Sequence, residues 1–389
     1  MDIPSPAYVF DLPRIRENCG MLAALRDEGG CRVVHALKAF AVPQVFPLLR
    51  EFLDGCCASG PWEAQLAHEF FGGEILTCAP AYSPADIEAL LPIATHLDFN
   101  SPGQWARYRE VVMDHSRFRS GALRCGLRIN PQCSTGPVPL YDPCAPGSRL
   151  GAPRELLDGA DLTGISGLHF HTLCEQGLPD LETTLAAVDD QFGDLLRREE
   201  IRWLNMGGGH WITQPDYDRA GLARVVAQVR DTYGLEAVWL EPGEAAVLHA
   251  GELHATVLDT FRNGGTDVAI LDVSATAHMP DVLEMPYRPE VTLRDGTPGE
   301  APGVRPHTWR LGGSTCLAGD VIGDYAFPSP LVPGDRLVFG DMAQYTVVKS
   351  SFFNGVAHPA IILRDENGTL DIVREFGYPD FRHRYLPGG

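Results

Sequence analysis

Between residues 32 and 240 the chain alternates short apolar runs with longer segments in which apolar positions recur at helical spacing. The runs cover 32–36, 55–58, 74–77, 96–99, 123–129, 165–170, 203–206 and 237–240. Strands buried on both faces read as such continuous apolar runs. The intervening segments 43–53, 61–70, 83–91, 102–112, 180–198 and 219–233 read as helices, several opened by Pro or Ser where a first turn begins. Eight strands alternating with helices predict a parallel (β/α)8 TIM-type barrel. The competing open doubly wound sheet lacks support, because no GxGxxG follows the first run.

After Glu244 the pattern changes to strands and tight turns, marked by Gly264-Gly265, Asp295-Gly296, Pro333-Gly334-Asp335 and Asn367-Gly368. Runs 268–273, 336–339 and 345–348 read as strands of an all-β C-terminal domain. The expected division is a barrel over 12–245 and a β domain over 246–389. The apolar run 7–10 precedes the first helix and is expected to join strand 1–11 to that β domain.

Composition narrows the function. The 389 residues carry 31 Lys+Arg against 51 Asp+Glu, a formal charge of −20, with 44% hydrophobic and 21% charged residues. That is a chain able to bury a large core. Its negative surface repels nucleic-acid phosphates and anionic lipid, and it favours a cationic substrate. Ten scattered cysteines without a CxxC pair read as reduced, buried thiols. The start MDIPSPAYVFDLPRIRENC carries acids and prolines where a signal peptide needs a basic, then apolar, sequence, and no run approaches the roughly 18 apolar residues of a membrane helix. The expected compartment is the cytoplasm.

In such a barrel the chemistry collects just after the strands. Lys38 follows the first, in VVHALKAF, where a desolvated amine can form a Schiff base with a carbonyl or with pyridoxal phosphate. A snorkelling lysine at a strand end is the plain alternative. Gly207, Gly208 and Gly209 follow the seventh strand, where backbone N–H groups can surround a phosphate, although a flexible turn has the same composition. Glu241 follows the eighth and is placed to keep a pyridine nitrogen protonated, or else to cap a helix. In GLHFHTLCE after the sixth, His171 is placed to lie on a planar ring, while His169 and Glu175 read as ordinary polar positions. H-x-H is also a metal spacing, but no third ligand is indicated, and we expect no metal.

Together these residues resemble the fold-type III pyridoxal-phosphate decarboxylases, the group of ornithine, arginine and diaminopimelate decarboxylases. GLHFHTLCE (167–175), MGGGHW (206–211), EPGEA (241–245) and ATAHMPDVLEMPYRP (275–289) resemble its carboxynorspermidine/carboxyspermidine decarboxylase branch. The resemblance implies a barrel with a β domain of the alanine racemase/ornithine decarboxylase type, pyridoxal 5′-phosphate as cofactor, and decarboxylation of a polyamine-type substrate. It implies that Lys38 carries the cofactor, His171 stacks on it, Gly207–Gly209 hold its phosphate and Glu241 pairs with its ring nitrogen. Ser59 with Glu63, Arg128, Gly243 and Tyr345 fall on further cofactor-binding positions. Cys316, in GGSTCLAGD, matches a cysteine that reaches the cofactor from a neighbouring subunit, so a homodimer with shared sites is implied.

One position departs from the group. Ornithine and diaminopimelate decarboxylases usually carry an arginine after EPG, whereas this chain has Glu244, an acid suited to an ammonium. Asp281 and Asp320 are further acids expected to meet a long cation. The remaining alternatives are a diaminopimelate or other basic amino-acid decarboxylase of the same fold, and a non-catalytic cofactor- or polyamine-binding regulator.

Overall fold

The computed structural model describes residues 3–136 and 138–386. Residues 1, 2, 137 and 387–389, with them the outer ends of the expected strand 1–11 and of the expected C-terminal domain, lie outside the described residues.

Strand β1 (Ala7–Asp11) is followed by eight parallel strands that close into a barrel: β2 (Arg32–Ala36), β3 (Gly55–Ala58), β4 (Glu74–Cys78), β5 (His96–Phe99), β6 (Arg124–Arg128), β7 (Ile165–His169), β8 (Trp203–Asn205) and β9 (Ala237–Leu240). The alternation read from the sequence is thus a (β/α)8 barrel. Helix starts follow local chemistry. Ser83 accepts the Asp86 amide while the Asp86 carboxylate takes the Ser83 amide, a reciprocal cap ahead of Pro84–Leu90.

The barrel interior packs Val34, Leu76, Trp203 and Trp239 together. His96 lies edge-on to both indoles, with ring centroids 5.2 and 5.0 Å away. Burial pulls its imidazole down to about 3, so a neutral ring fills the space. Trp203 occupies room vacated by two glycines. A β-carbon at Gly126 would approach its ring to 2.3 Å and one at Gly167 to 2.0 Å. Gly167→Ala is therefore expected to cost about 1–3 kcal/mol by overpacking. A lowered urea midpoint at unchanged slope would register this, and an unchanged midpoint would show that Trp203 yields.

The second unit is a nine-stranded mixed sheet built from β1, β10 (Gly251–Asn263), β11 (Thr266–Leu271), β12 (Val291–Leu293), β13 (His307–Gly312), β14 (Val321–Phe327), β15 (Arg336–Gly340), β16 (Ala360–Arg364) and β17 (Leu370–Arg374). β1 runs antiparallel to β10 and parallel to β16. Ala7, Val9, Ala360 and Ile362 bury one face of that pairing. By internal contacts the sheet unit comprises residues up to Ile15, Ala39–Ala41 and those from Val247 onward; the barrel unit comprises Arg16–Lys38 and Val42–Ala246. The expected strand 345–348 does not form. Tyr345 has φ 51°, which no strand accommodates, and Val347–Lys349 coils into a 3-10 turn. Among the described residues no helix is long and apolar enough to cross a membrane.

Candidate active site

Several barrel residues singled out in the sequence meet at the C-terminal ends of the strands. Lys38 follows β2, where the Ala36 amide donates to Pro242 and the Leu37 amide to Cys57, fixing the backbone beneath it. Its Nζ lies 3.4 Å from His171 Nε2. His171, two residues past β7, accepts the Gly208 amide on Nδ1 at 2.9 Å, so a neutral ring carries its hydrogen on Nε2, toward Lys38. Burial, then the charges of Lys38 and Arg128, hold this imidazole well below its ordinary range. Arg128, at the end of β6, donates to the His171 carbonyl at 3.3 Å.

Glu241, directly after β9, is buried. Its Oε1 accepts Asn205 Nδ2 at 2.6 Å, and Asn205 Oδ1 in turn accepts the Gly207 amide at 2.9 Å. The triple-glycine run is required by space as well as conformation. Gly207 and Gly209 have φ of 70° and 82°, and β-carbons at 207, 208 and 209 would come within 2.6, 2.2 and 2.0 Å of the carbonyl oxygens of Phe170, Glu241 and Leu173. Gly243 is buried and its carbonyl accepts the Ala246 amide. Glu244 opens the short helix Glu244–Val247. Ser59 is exposed; its amide donates to Glu63 at 2.6 Å, so the pair ties down the start of helix Pro61–Phe70.

The other candidates belong to the sheet unit. The Tyr345 amide donates to the carbonyl of Ala39, the residue after Lys38, at 2.8 Å. Cys316 is exposed, its amide bonded to Asn354 Oδ1 at 2.8 Å. Asp281 is partly buried and ion-paired with Lys349, which also binds Glu284. Burial raises the Asp281 carboxyl and Lys349 opposes the shift. Asp320 is buried and accepts the hydroxyls of Ser274 and Thr315 at 2.8 and 2.6 Å and the amides of Thr276 and Thr315. Both acids thus carry internal partners that the sequence alone does not display.

Three residues without an assigned role belong to the same cluster. His169 was read as an ordinary polar position, yet it is buried between two carboxyl groups: Nδ1 lies 3.0 Å from Asp98 Oδ2 and Nε2 lies 3.7 Å from Glu241 Oε2. Cys78 Sγ joins Asp98 and His169 with ligand atoms all within 4.8 Å, a group that takes only His169 of the H-x-H pair. Its chemistry suits a cation poorly. Burial pushes the Cys78 thiol up to about 12 and the Asp98 carboxyl up to about 8, while the Arg128 guanidinium acts on both. The available signal was an aspartate in HLDF, a strand in which every residue is buried.

The comparisons with known proteins agree with this geometry. The family described as pyridoxal-dependent decarboxylase, C-terminal sheet domain, matches residues 7–343. The chain is 44% identical over 382 residues to carboxyaminopropylagmatine decarboxylase of Synechocystis sp., covering 98% of this chain and 95% of that protein. It is 38% identical to carboxynorspermidine/carboxyspermidine decarboxylase of Campylobacter jejuni, with 98% of each covered. The crystal structure of carboxynorspermidine decarboxylase complexed with norspermidine from C. jejuni superposes with a TM-score of 0.86 at 36% identity, covering 98% of this chain and 100% of that one. With the barrel, the sheet unit and the lysine, histidine and glutamate at the strand ends in place, this chain belongs to the pyridoxal-dependent decarboxylases with a C-terminal sheet domain.

Proposed function

We propose that the chain binds pyridoxal 5′-phosphate and removes a carboxylate as CO2 from carboxynorspermidine, carboxyspermidine or both, leaving norspermidine or spermidine. The convergence of Lys38, His171, Arg128 and Glu241, in a chain 38% identical to a decarboxylase named for those substrates, carries the reading.

The residues fit the cofactor. Lys38 offers an amine for its aldehyde, Glu241 a buried carboxylate for its ring nitrogen, and the glycine run a turn that admits no side chain. When bound, pyridoxal phosphate supplies an electron-withdrawing ring that takes up the electron pair left on Cα as CO2 departs. Everything else falls to the protein. Glu241, fixed by Asn205, would hold a proton on the ring nitrogen, and His171, a neutral imidazole, would lie against the ring. Gly207 and Gly208 donate their amides to Asn205 and His171, so the run's share in phosphate binding falls mainly to Gly209, with Tyr345, Ser59, Arg128 and Gly243 as further contacts. Cys316 of a partner subunit, or a water, would return the proton to Cα, and the first of these would make the working form a homodimer. Glu244, and Asp281 and Asp320 within their networks, bias the site toward a polycation. Ten free cysteines suit a reducing cytoplasm.

The relative at 44% identity, named carboxyaminopropylagmatine decarboxylase, favours a second reading in which that compound is the substrate. Parallel CO2 assays on carboxynorspermidine, carboxyspermidine, carboxyaminopropylagmatine, diaminopimelate and ornithine decide among these. Release from the first two is the expected result. Release from the third alone selects the second reading, from diaminopimelate or ornithine alone overturns both, and silence in every lane leaves a binding protein.

A further inference from the structure

Three polar atoms at the centre of the barrel, Asp98 Oδ1 and both ring nitrogens of His169, are buried without a hydrogen-bond partner. Leaving such groups unsatisfied costs about 1–3 kcal/mol each. They are nevertheless assembled in sequence: the Asp98 carboxyl 3.0 Å from Nδ1, the ring, then Nε2 3.7 Å from Glu241. The three residues come from β5, from β7 and from the turn after β9.

We propose that Asp98 and His169 are positioning residues forming a proton chain behind Glu241, in which the state of Asp98 decides whether His169 presents an N–H or a lone pair to that carboxylate. The inference rests on the cofactor reading above and extends it to residues that touch neither cofactor nor substrate. With Asp98 neutral, its O–H serves Nδ1, and the ring hydrogen sits on Nε2, pointing at Glu241. With Asp98 ionised, the hydrogen is drawn to Nδ1, and Nε2 turns a lone pair toward an anion. The first state supports Glu241 as the partner of a ring nitrogen, and the second opposes it.

The surroundings favour the first state at neutral pH. Burial raises the Asp98 carboxyl to about 8, with Arg128 working against it, and the neighbouring Cys78, Tyr82 and Cys125 are themselves held protonated by burial. Burial lowers His169 to about 4; Glu241 opposes this, while Arg128 and Lys38 reinforce it, and His171 beside it is also kept neutral. An acid whose folded value is raised stays neutral up to that value, so the chain switches as pH rises through about 8.

The test uses the full-length enzyme with pyridoxal phosphate bound, the parent beside Asp98→Asn and Asp98→Leu. Asparagine keeps an N–H donor toward Nδ1 at every pH, whereas leucine removes it. For the parent, kcat is expected to fall as pH rises through about 8 at constant KM, and the absorption spectrum of the bound cofactor to change with the same midpoint. Asp98→Asn should keep kcat within about 3-fold at pH 7 and lose both transitions, and Asp98→Leu should lower kcat about 10–100-fold. Superimposable parent and asparagine profiles would overturn the proposal, as would an asparagine variant as impaired as the leucine one. So would a stoichiometric divalent ion in the parent, because it would claim a His169 nitrogen. The spectrum needs no substrate, so a spectral switch in a protein that decarboxylates none of the offered amines would refute the substrate assignment and leave the chain standing.

Discussion

Lys38→Ala is expected to release CO2 at least about 10³-fold more slowly than the parent enzyme and to lose its cofactor colour on dialysis. The size of the effect follows from the scarcity of amines: the sequence's other lysine, Lys349, is ion-paired with Asp281 and Glu284. The change should leave the fold intact. The backbone on either side is held by other groups, with Ala36 bonded to Pro242, Leu37 to Cys57 and Ala39 to Tyr345, and none of these bonds involves the deleted side chain. An unchanged urea midpoint would confirm that the loss is chemical, and added methylamine should restore part of the rate. A Lys38→Ala protein that keeps its colour through dialysis and turns over at more than about a tenth of the parental rate would remove Lys38 from the proposed role.

How far the sequence anticipates this site varies with the physics of each element. The barrel strands could be read to within a residue or two because both their faces are buried, which turns each into a short apolar run, several of them followed by a proline- or serine-started helix. Residues 345–348 have the same apolar texture. There, however, Tyr345 adopts a positive φ while its amide serves Ala39, and no local pattern encodes that constraint. Lys38, Glu241 and the glycines were legible because position after a strand and residue type together restrict the chemistry. Asp98 was overlooked because its partner His169 lies 71 positions further on, and only the closed barrel sets β5 and β7 at a distance where a carboxyl and an imidazole meet. The acids of the sheet unit show the converse. Asp281 and Asp320 carry the right charge for a cation, but Lys349 and the Ser274 and Thr315 hydroxyls already engage them, so their pull on a substrate is smaller than their charge suggests. Glu244, at the position where this sequence departs from the usual arginine, is the first acid to replace when substrate preference is probed.

Glu241→Gln should lower kcat about 10²–10³-fold while KM moves by no more than a few-fold and the cofactor remains attached through Lys38. The argument turns on the direction of two hydrogen bonds. Asn205 cannot flip its amide, because its Oδ1 is committed to the Gly207 N–H at 2.9 Å, and so its Nδ2 always points at position 241. A glutamine there must offer its own carbonyl to that donor. Its NH2 would then face His169 Nε2 and the place proposed for the ring nitrogen, putting a donor where an acceptor is needed. An amide so oriented cannot keep a proton on the ring nitrogen, and the electron pair left by CO2 loses its sink. The acids proposed to meet the substrate, Glu244, Asp281 and Asp320, are untouched by this change, which is why the loss is expected in kcat rather than KM. Asn205→Asp combined with Glu241→Gln should not restore the rate, because the second acid would sit behind position 241 rather than against the ring. A Glu241→Gln enzyme with parental kcat would mean that the ring nitrogen works unprotonated in this barrel, and the role given to Glu241 would then pass to no other residue in the cluster.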